Sequence, residues 1–137
     1  MYLGLDIGTS AVKALLWDGA AVQETACAPL STSPPGRGAS EQDPEDWWRA
    51  VAQVCAALRT QPGWDRIGAI GLSGQMHGAV CLGADGAVLR PAMLWNDNRA
   101  VAQSDAMTAA VPGSAARAGV PPMPGFTAPK LAWLART

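Results

Sequence analysis

Tyr2-Leu3-Gly4-Leu5-Asp6-Ile7-Gly8-Thr9-Ser10-Ala11-Val12-Lys13-Ala14-Leu15-Leu16-Trp17 places two apolar runs, Tyr2–Ile7 and residues 12–17, on either side of a Gly-Thr-Ser turn. Each run is too short for a stable helix, so the pattern predicts two strands joined tightly. Asp18-Gly19 is a hairpin signal, and residues 20–28 can return as a third strand. An antiparallel meander results. Residues 29–40 are rich in Ser, Pro and Gly, and Pro34-Pro35-Gly36 forbids regular structure, so this stretch reads as a surface loop.

Asp43-Pro44-Glu45-Asp46 is a helix start, with Asp as N-cap, Pro at the first helical position and two carboxylates facing the positive end of the dipole. Trp47, Val51, Val54, Cys55 and Leu58 then recur on one helical face, which needs a sheet to pack on. Gln61-Pro62-Gly63 ends the helix, and residues 67–72 read as a buried strand able to lie parallel to the first. Residues 80–82 and 88–89 predict a further hairpin, residues 98–111 a helix, and the segment from Thr127 onward another. That last segment has about ten residues and no C-cap Gly, so the chain reads as cut off. The expected class is α/β, a mixed sheet of antiparallel meander plus parallel strand with flanking helices.

Ten Lys and Arg against eleven Asp and Glu give a net charge of −1. A nucleic-acid or anionic-membrane partner needs a basic face, which this chain lacks. No run of about 18 apolar residues offers a membrane span. The opening residues carry no basic segment and put Asp6 where a secretory apolar region would sit, so the expected compartment is the cytoplasm. Cys27, Cys55 and Cys81 are odd in number and widely spaced, which suits neither a disulfide framework nor a zinc site and predicts buried free thiols.

Three segments carry groups with chemistry. In the first, Gly8 lets backbone N–H groups approach an anion, Thr9 and Ser10 add hydroxyls, Lys13 adds charge, and Asp6 can hold Mg²⁺ through water. The same string also reads as a plain hairpin turn. In the second, Ser73-Gly74-Gln75-Met76-His77-Gly78 ends the strand expected beside the first, where ligands of such sheets collect. Its lone His reads equally as a structural residue. In the third, Leu94-Trp95-Asn96-Asp97-Asn98-Arg99 could pack a Trp face on a sugar while Asp97 and Arg99 bond its hydroxyls, or Asn96 or Asp97 could simply cap the next helix. A fourth string, Pro124-Gly125-Phe126-Thr127-Ala128-Pro129-Lys130-Leu131, reads alone as a loop and helix entry.

The order of these four strings, with Glu41-Gln42-Asp43-Pro44-Glu45-Asp46-Trp47-Trp48 between the first and second, resembles the opening part of the FGGY carbohydrate kinases, nearest to their bacterial xylulokinase branch. The resemblance runs from Tyr2 to the last residues. It implies an actin-like, ribonuclease-H-like fold in which two such domains close on ATP-Mg²⁺ and a ketose, with the γ-phosphoryl passing to O5 of D-xylulose. By position it implies Asp6 as the residue organising Mg²⁺ and phosphate, Gly8, Thr9 and Ser10 as the phosphate loop, and Lys13 near the transferring group. It implies Met76 and His77 as the sugar-contacting pair, with Gln75 and Asp97 beside them. Residues 1–137 would be the first part of the first kinase domain, the second domain and the general-base Asp lying beyond Thr137, and a homodimer is the expected assembly. Val120-Pro121-Pro122 departs from the family's usual stretch before Met123. Two further readings stay open: a kinase for ribulose, gluconate or glycerol, and a non-catalytic remnant or interaction module.

Overall fold

The computed structural model describes residues 1–137, which divide into two compact units, Met1–Thr32 with Asp43–Gln75, and Ser33–Gln42 with Met76–Thr137. The strands are β1 (Tyr2–Ile7), β2 (Ala11–Trp17), β3 (Val22–Pro29), β4 (Glu41–Gln42), β5 (Ala69–Gly74) and β6 (Ala92–Met93). The helices are α1 (Pro44–Leu58), α2 (Val101–Ala110), α3 (Ser114–Ala118) and α4 (Thr127–Leu134), with a 3₁₀ turn at Trp64–Arg66.

The first unit is the expected mixed sheet, in the order β3-β2-β1-β5. β1 pairs antiparallel with β2 and parallel with β5, and β2 pairs antiparallel with β3. Strand alternation sends Leu3, Leu5, Val12, Ala14, Leu16 and Ala28 to one face, where they form a core with Ala50, Val51, Val54 and Leu58 of α1. The helix forms where its signals lie: Asp43 Oδ1 accepts from the Glu45 N–H at 2.9 Å, and Glu45 and Asp46 follow in the first turn. Its Cys55 is half-buried against that core, whereas Trp47, anticipated on the same face, is half-buried without joining it.

Two expectations need correction. The strand anticipated at residues 67–72 as buried runs from Ala69 to Gly74 and is exposed along its length. Its start moves because Ile67 closes the 3₁₀ turn, donating its N–H to Trp64 O at 3.3 Å. Its exposure follows from topology: Ile70 and Leu72 share the helix side of the sheet with Leu3 and Leu5, but α1 packs on β1, β2 and β3 and stops short of β5. The cysteines are free, yet Cys27 is exposed and Cys55 and Cys81 only half-buried. Cys27 is the register partner of Lys13, so it lies on the uncovered face of the sheet.

In the second unit β4 and β6 pair antiparallel, Glu41 opposite Met93 and Gln42 opposite Ala92. Ser33 bridges Glu41 and Ala79 bridges Met93, and the anticipated loop at residues 29–40 is further tied where Gly38 O accepts the Asn98 N–H at 2.7 Å and Ser40 O accepts the Leu94 N–H at 2.9 Å. The hairpin anticipated at residues 80–82 and 88–89 shrinks to a single bridge, Leu82 to Val88, around a turn with Gly86 at φ 82°. Helix α2 lies within the anticipated 98–111, and α3 was not anticipated. Helices α2 and α4 pack together, and Ser104 Oγ donates to Pro122 O at 2.7 Å. Gly125 admits no side chain, since a Cβ there would collide with the Trp95 carbonyl oxygen.

Leu16 is fully buried under α1, so Leu16→Ala should lower stability by about 2–5 kcal/mol, whereas Asp43→Ala, losing one cap bond, should lower it by about 0.5–2 kcal/mol. Urea denaturation reads both as a lower midpoint at unchanged slope.

Candidate functional site

In the first unit the candidate groups gather at the carboxyl ends of β1 and β5, which run side by side in parallel with Ile7 opposite Gly74. The β1–β2 turn is closed by the Gly8 N–H donating to Ala11 O at 3.2 Å. A Cβ at Gly8 would stand 3.2 Å from that oxygen and 3.8 Å from Asp6 Oδ2, so glycine keeps the cradle beside the carboxylate open. Asp6 is exposed and is the register partner of both Lys13 on β2 and Ser73 on β5. Thr9 Oγ1 donates to Gln75 Oε1 at 3.0 Å, and the Gln75 N–H donates to Ile7 O at 2.9 Å. The turn after β1 and the end of β5 are thereby tied. A concavity of ≈ 790 Å³ on the uncovered sheet face is lined by Asp6, Lys13 and Ser73 together with Leu15, Thr25 and Cys27.

An exposed carboxylate, a lysine across the strand pair and a glycine-opened turn form a donor set suited to phosphate with Mg²⁺. A magnesium ion keeps most of its waters and takes one or two carboxylates with phosphate oxygens, so Asp6 is the side chain here that would hold it.

In the second unit Met76 is 58% exposed and the His77 side chain is also exposed. His77 is the only non-glycine residue with positive φ, at 59°. That conformation is uncommon for a residue with a Cβ and often marks a site where geometry matters more than ease of folding. The imidazole stacks on Phe126, ring centroids 4.3 Å apart. The His77 carbonyl accepts from Lys130 Nζ at 2.8 Å.

Asp97 belongs to the same unit and lies close enough to Lys130 to act on its charge. It is fully buried, with Oδ2 accepting from the Ser40 N–H at 2.9 Å and both oxygens bonded by the Arg99 guanidinium. Arg99 and Arg90 also donate to Glu41, and the Arg99 guanidinium sits 4.7 Å from the Trp133 ring centre. No face of the Asp97 carboxylate is open to a ligand. Neither is it a helix cap, because α2 begins after Ala100 without a side-chain cap. Burial pushes the Asp97 carboxyl up, but hydrogen bonds from Arg99 and Ser40 outweigh it and hold the group below its ordinary 3.8. Burial likewise opposes the Arg99 charge, and its bonds to Asp97 and Glu41 outweigh that in turn.

Two contributors went unread in the sequence: Phe126, which stacks on His77, and Lys130, which is completely buried. The available signal was a lysine set among Pro129, Leu131, Ala132 and Trp133, an apolar setting that rarely takes an ammonium without partners.

Comparison with known proteins adds an independent line. The FGGY family of carbohydrate kinases, N-terminal domain, matches residues 1–137. A xylulose kinase of Escherichia coli is 45% identical over 99% of this chain and 28% of its own length. A solved structure described as a xyloylose kinase from Brucella ovis superposes with a TM-score of 0.94 at 48% identity, covering 99% of this chain and 29% of that one. A gluconate kinase from Lactobacillus acidophilus superposes at 0.85 with 28% identity, covering 98% and 28%. The chain thus spans under a third of the length of these relatives.

Because the Asp97 carboxyl titrates below its unfolded value, it stabilises the fold fully above about pH 4, and that contribution is lost as pH falls through the depressed value. Asp97→Asn should destabilise by about 3–5 kcal/mol at neutral pH, leaving Arg99 short of its partner. Denaturation between pH 5 and about pH 2 should accordingly show a steeper loss for the wild type than for the variant.

Proposed function

We propose, since this chain belongs to the FGGY family of carbohydrate kinases, that it supplies the phosphate loop and the sugar-contacting turn of an ATP-dependent kinase that phosphorylates D-xylulose at O5. The observation that carries this reading is the parallel pairing of β1 and β5, which brings the Asp6–Gly8 cradle and Gln75 to one edge of the sheet. Ligands of such sheets bind beyond the carboxyl ends of parallel strands. High identity to a xylulose kinase supports the choice of sugar.

In this reading Asp6 holds a metal-bound water, Gly8 and Thr9 shape the phosphate loop, Gly8 by leaving space beside the carboxylate and Thr9 through its bond to Gln75, Ser10 donates to phosphate oxygens, and Lys13 balances their charge. Met76 and His77 contact the ketose, His77 offering its imidazole to a hydroxyl, with Gln75 at the start of that turn. Asp97 serves from behind, holding the 94–99 turn through Arg99 and Ser40. Mg²⁺ would neutralise charge on the β- and γ-phosphates, which is most of what phosphoryl transfer asks of a protein besides positioning. Residues 1–137 act here as part of the first kinase domain, in a cytoplasmic enzyme that pairs as a homodimer. No helix of this chain is long and apolar enough to cross a membrane.

The full polypeptide carrying these residues should consume ATP when given D-xylulose and do so far more slowly with gluconate, ribulose or glycerol. Equal or better turnover of gluconate would move the reading to that sugar. Asp6→Ala should cut kcat by at least about 10²-fold with sugar affinity nearly unchanged, as expected for a group acting on charge that builds during transfer. His77→Ala should raise the D-xylulose Kd about tenfold, measured calorimetrically, with ATP affinity much less affected. Unchanged sugar affinity in that variant would remove His77 from the site.

A further inference from the structure

Lys130 lies on α4 with no exposed surface, and Pro129 beside it is buried as well. Its Nζ donates to His77 O at 2.8 Å and is 3.4 Å from Met93 O. Met93 O also accepts the Ala79 N–H at 2.9 Å, and Met93 N–H donates to Ala79 O at 3.2 Å, so the ammonium joins the end of β6 to the strand-like segment that follows His77. An ammonium has three donors and no acceptor, and here one donates to a carbonyl in the turn at His77 and a second to a carbonyl of β6, which bridges the residue just past that turn. Burial pushes the Lys130 ammonium down to about 8, while the nearby Asp97 charge opposes that shift.

A buried lysine whose bonds end on backbone oxygens performs no chemistry through its own nitrogen. What it can do is hold a backbone conformation that would otherwise relax. The conformation in question is the left-handed one at His77, which a residue with a Cβ leaves readily when nothing fixes it. Phe126, just before the same helix, stacks on the imidazole, so one segment grips His77 by both main chain and ring.

We propose that Lys130 is a positioning residue of the sugar site, its ammonium clamping the His77 and Met93 carbonyls so that the left-handed turn presents the His77 imidazole to the ketose. This rests on the reading of His77 as a sugar contact. With the clamp gone, the competent turn becomes one conformer among several, and apparent affinity falls in proportion to its population. A drop to about one tenth raises the sugar Kd about tenfold, or about 1.4 kcal/mol.

The test is a double-mutant cycle in the full polypeptide, with Lys130→Met and His77→Ala singly and together, titrated with D-xylulose by calorimetry and with kcat and KM measured alongside. Lys130→Met should raise Kd and KM for the sugar about tenfold, leave kcat within about twofold and leave ATP affinity unchanged. In the His77→Ala background the same change should have almost no further effect on sugar affinity. Lys130→Gln, which keeps two N–H donors on a shorter stem, should lie between wild type and Lys130→Met. An equal loss of affinity with and without His77 would overturn the proposal, as would a fall in kcat alone. If His77→Ala binds sugar normally, the site reading fails instead; if His77→Ala weakens binding and folded Lys130→Met does not, only the clamp fails. Failure of both lysine variants to fold would assign Lys130 to stability alone and overturn its positioning role.

Discussion

Strand β1 is hydrogen-bonded on both edges, antiparallel to β2 and parallel to β5, and the first unit depends on that double engagement. The antiparallel partner is reached by a turn of a few residues, so Gly8, Thr9 and Ser10 stand directly at the strand end. The parallel partner needs a long crossover, and α1 occupies it, burying Val51, Val54 and Leu58 against Leu3, Leu5 and Leu16. Register then does the rest. With Asp6 opposite Lys13 on one side and Ser73 on the other, a negative, a positive and a hydroxyl-bearing residue share one row and one face.

The second unit solves a different problem. It has little apolar core beyond Ala79, Ala92, Met93, Leu94 and Ala100, yet it buries Asp97, Lys130 and most of Glu41. Buried charge without partners is costly, so each is met: Asp97 by Arg99 and the Ser40 N–H, Glu41 by Arg90 and Arg99, Lys130 by two carbonyls. Such pairs add less net stability than an apolar core of the same volume, but they tolerate little misalignment. The turn at residues 94–99 and the segment at 123–130 are held to definite places by hydrogen-bond geometry, and by a glycine that alone fits against Trp95.

Local signals were readable and remote ones were not. The two short apolar runs in residues 2–17 and the Asp-Pro cap of α1 depend on neighbours in sequence, and the meander and helix follow from them. The Gly8–Ser10 turn between β1 and β2 was legible for the same reason. The burial of β5 was misread because an apolar run says nothing about whether a helix reaches it. Asp97 read as a sugar-bonding carboxylate or a helix cap, since its partner at Ser40 is 57 residues away. Lys130 and His77 are 53 residues apart, and a left-handed histidine leaves no trace in composition or periodicity.

The sheet of the first unit is covered by a helix on one side only, with Tyr2, Leu15, Trp17 and Val22 in view on the other and Ile70 and Leu72 beyond the reach of α1. Heat-capacity change on unfolding is set mainly by apolar surface newly exposed to water. Surface that is already wet adds nothing to it. A sheet covered on one side only, as in this unit, therefore melts with a smaller heat-capacity increment than a sheet of equal size sandwiched between two helical layers. Its stability varies more gently with temperature, and covering the bare face would both raise the curve and sharpen it.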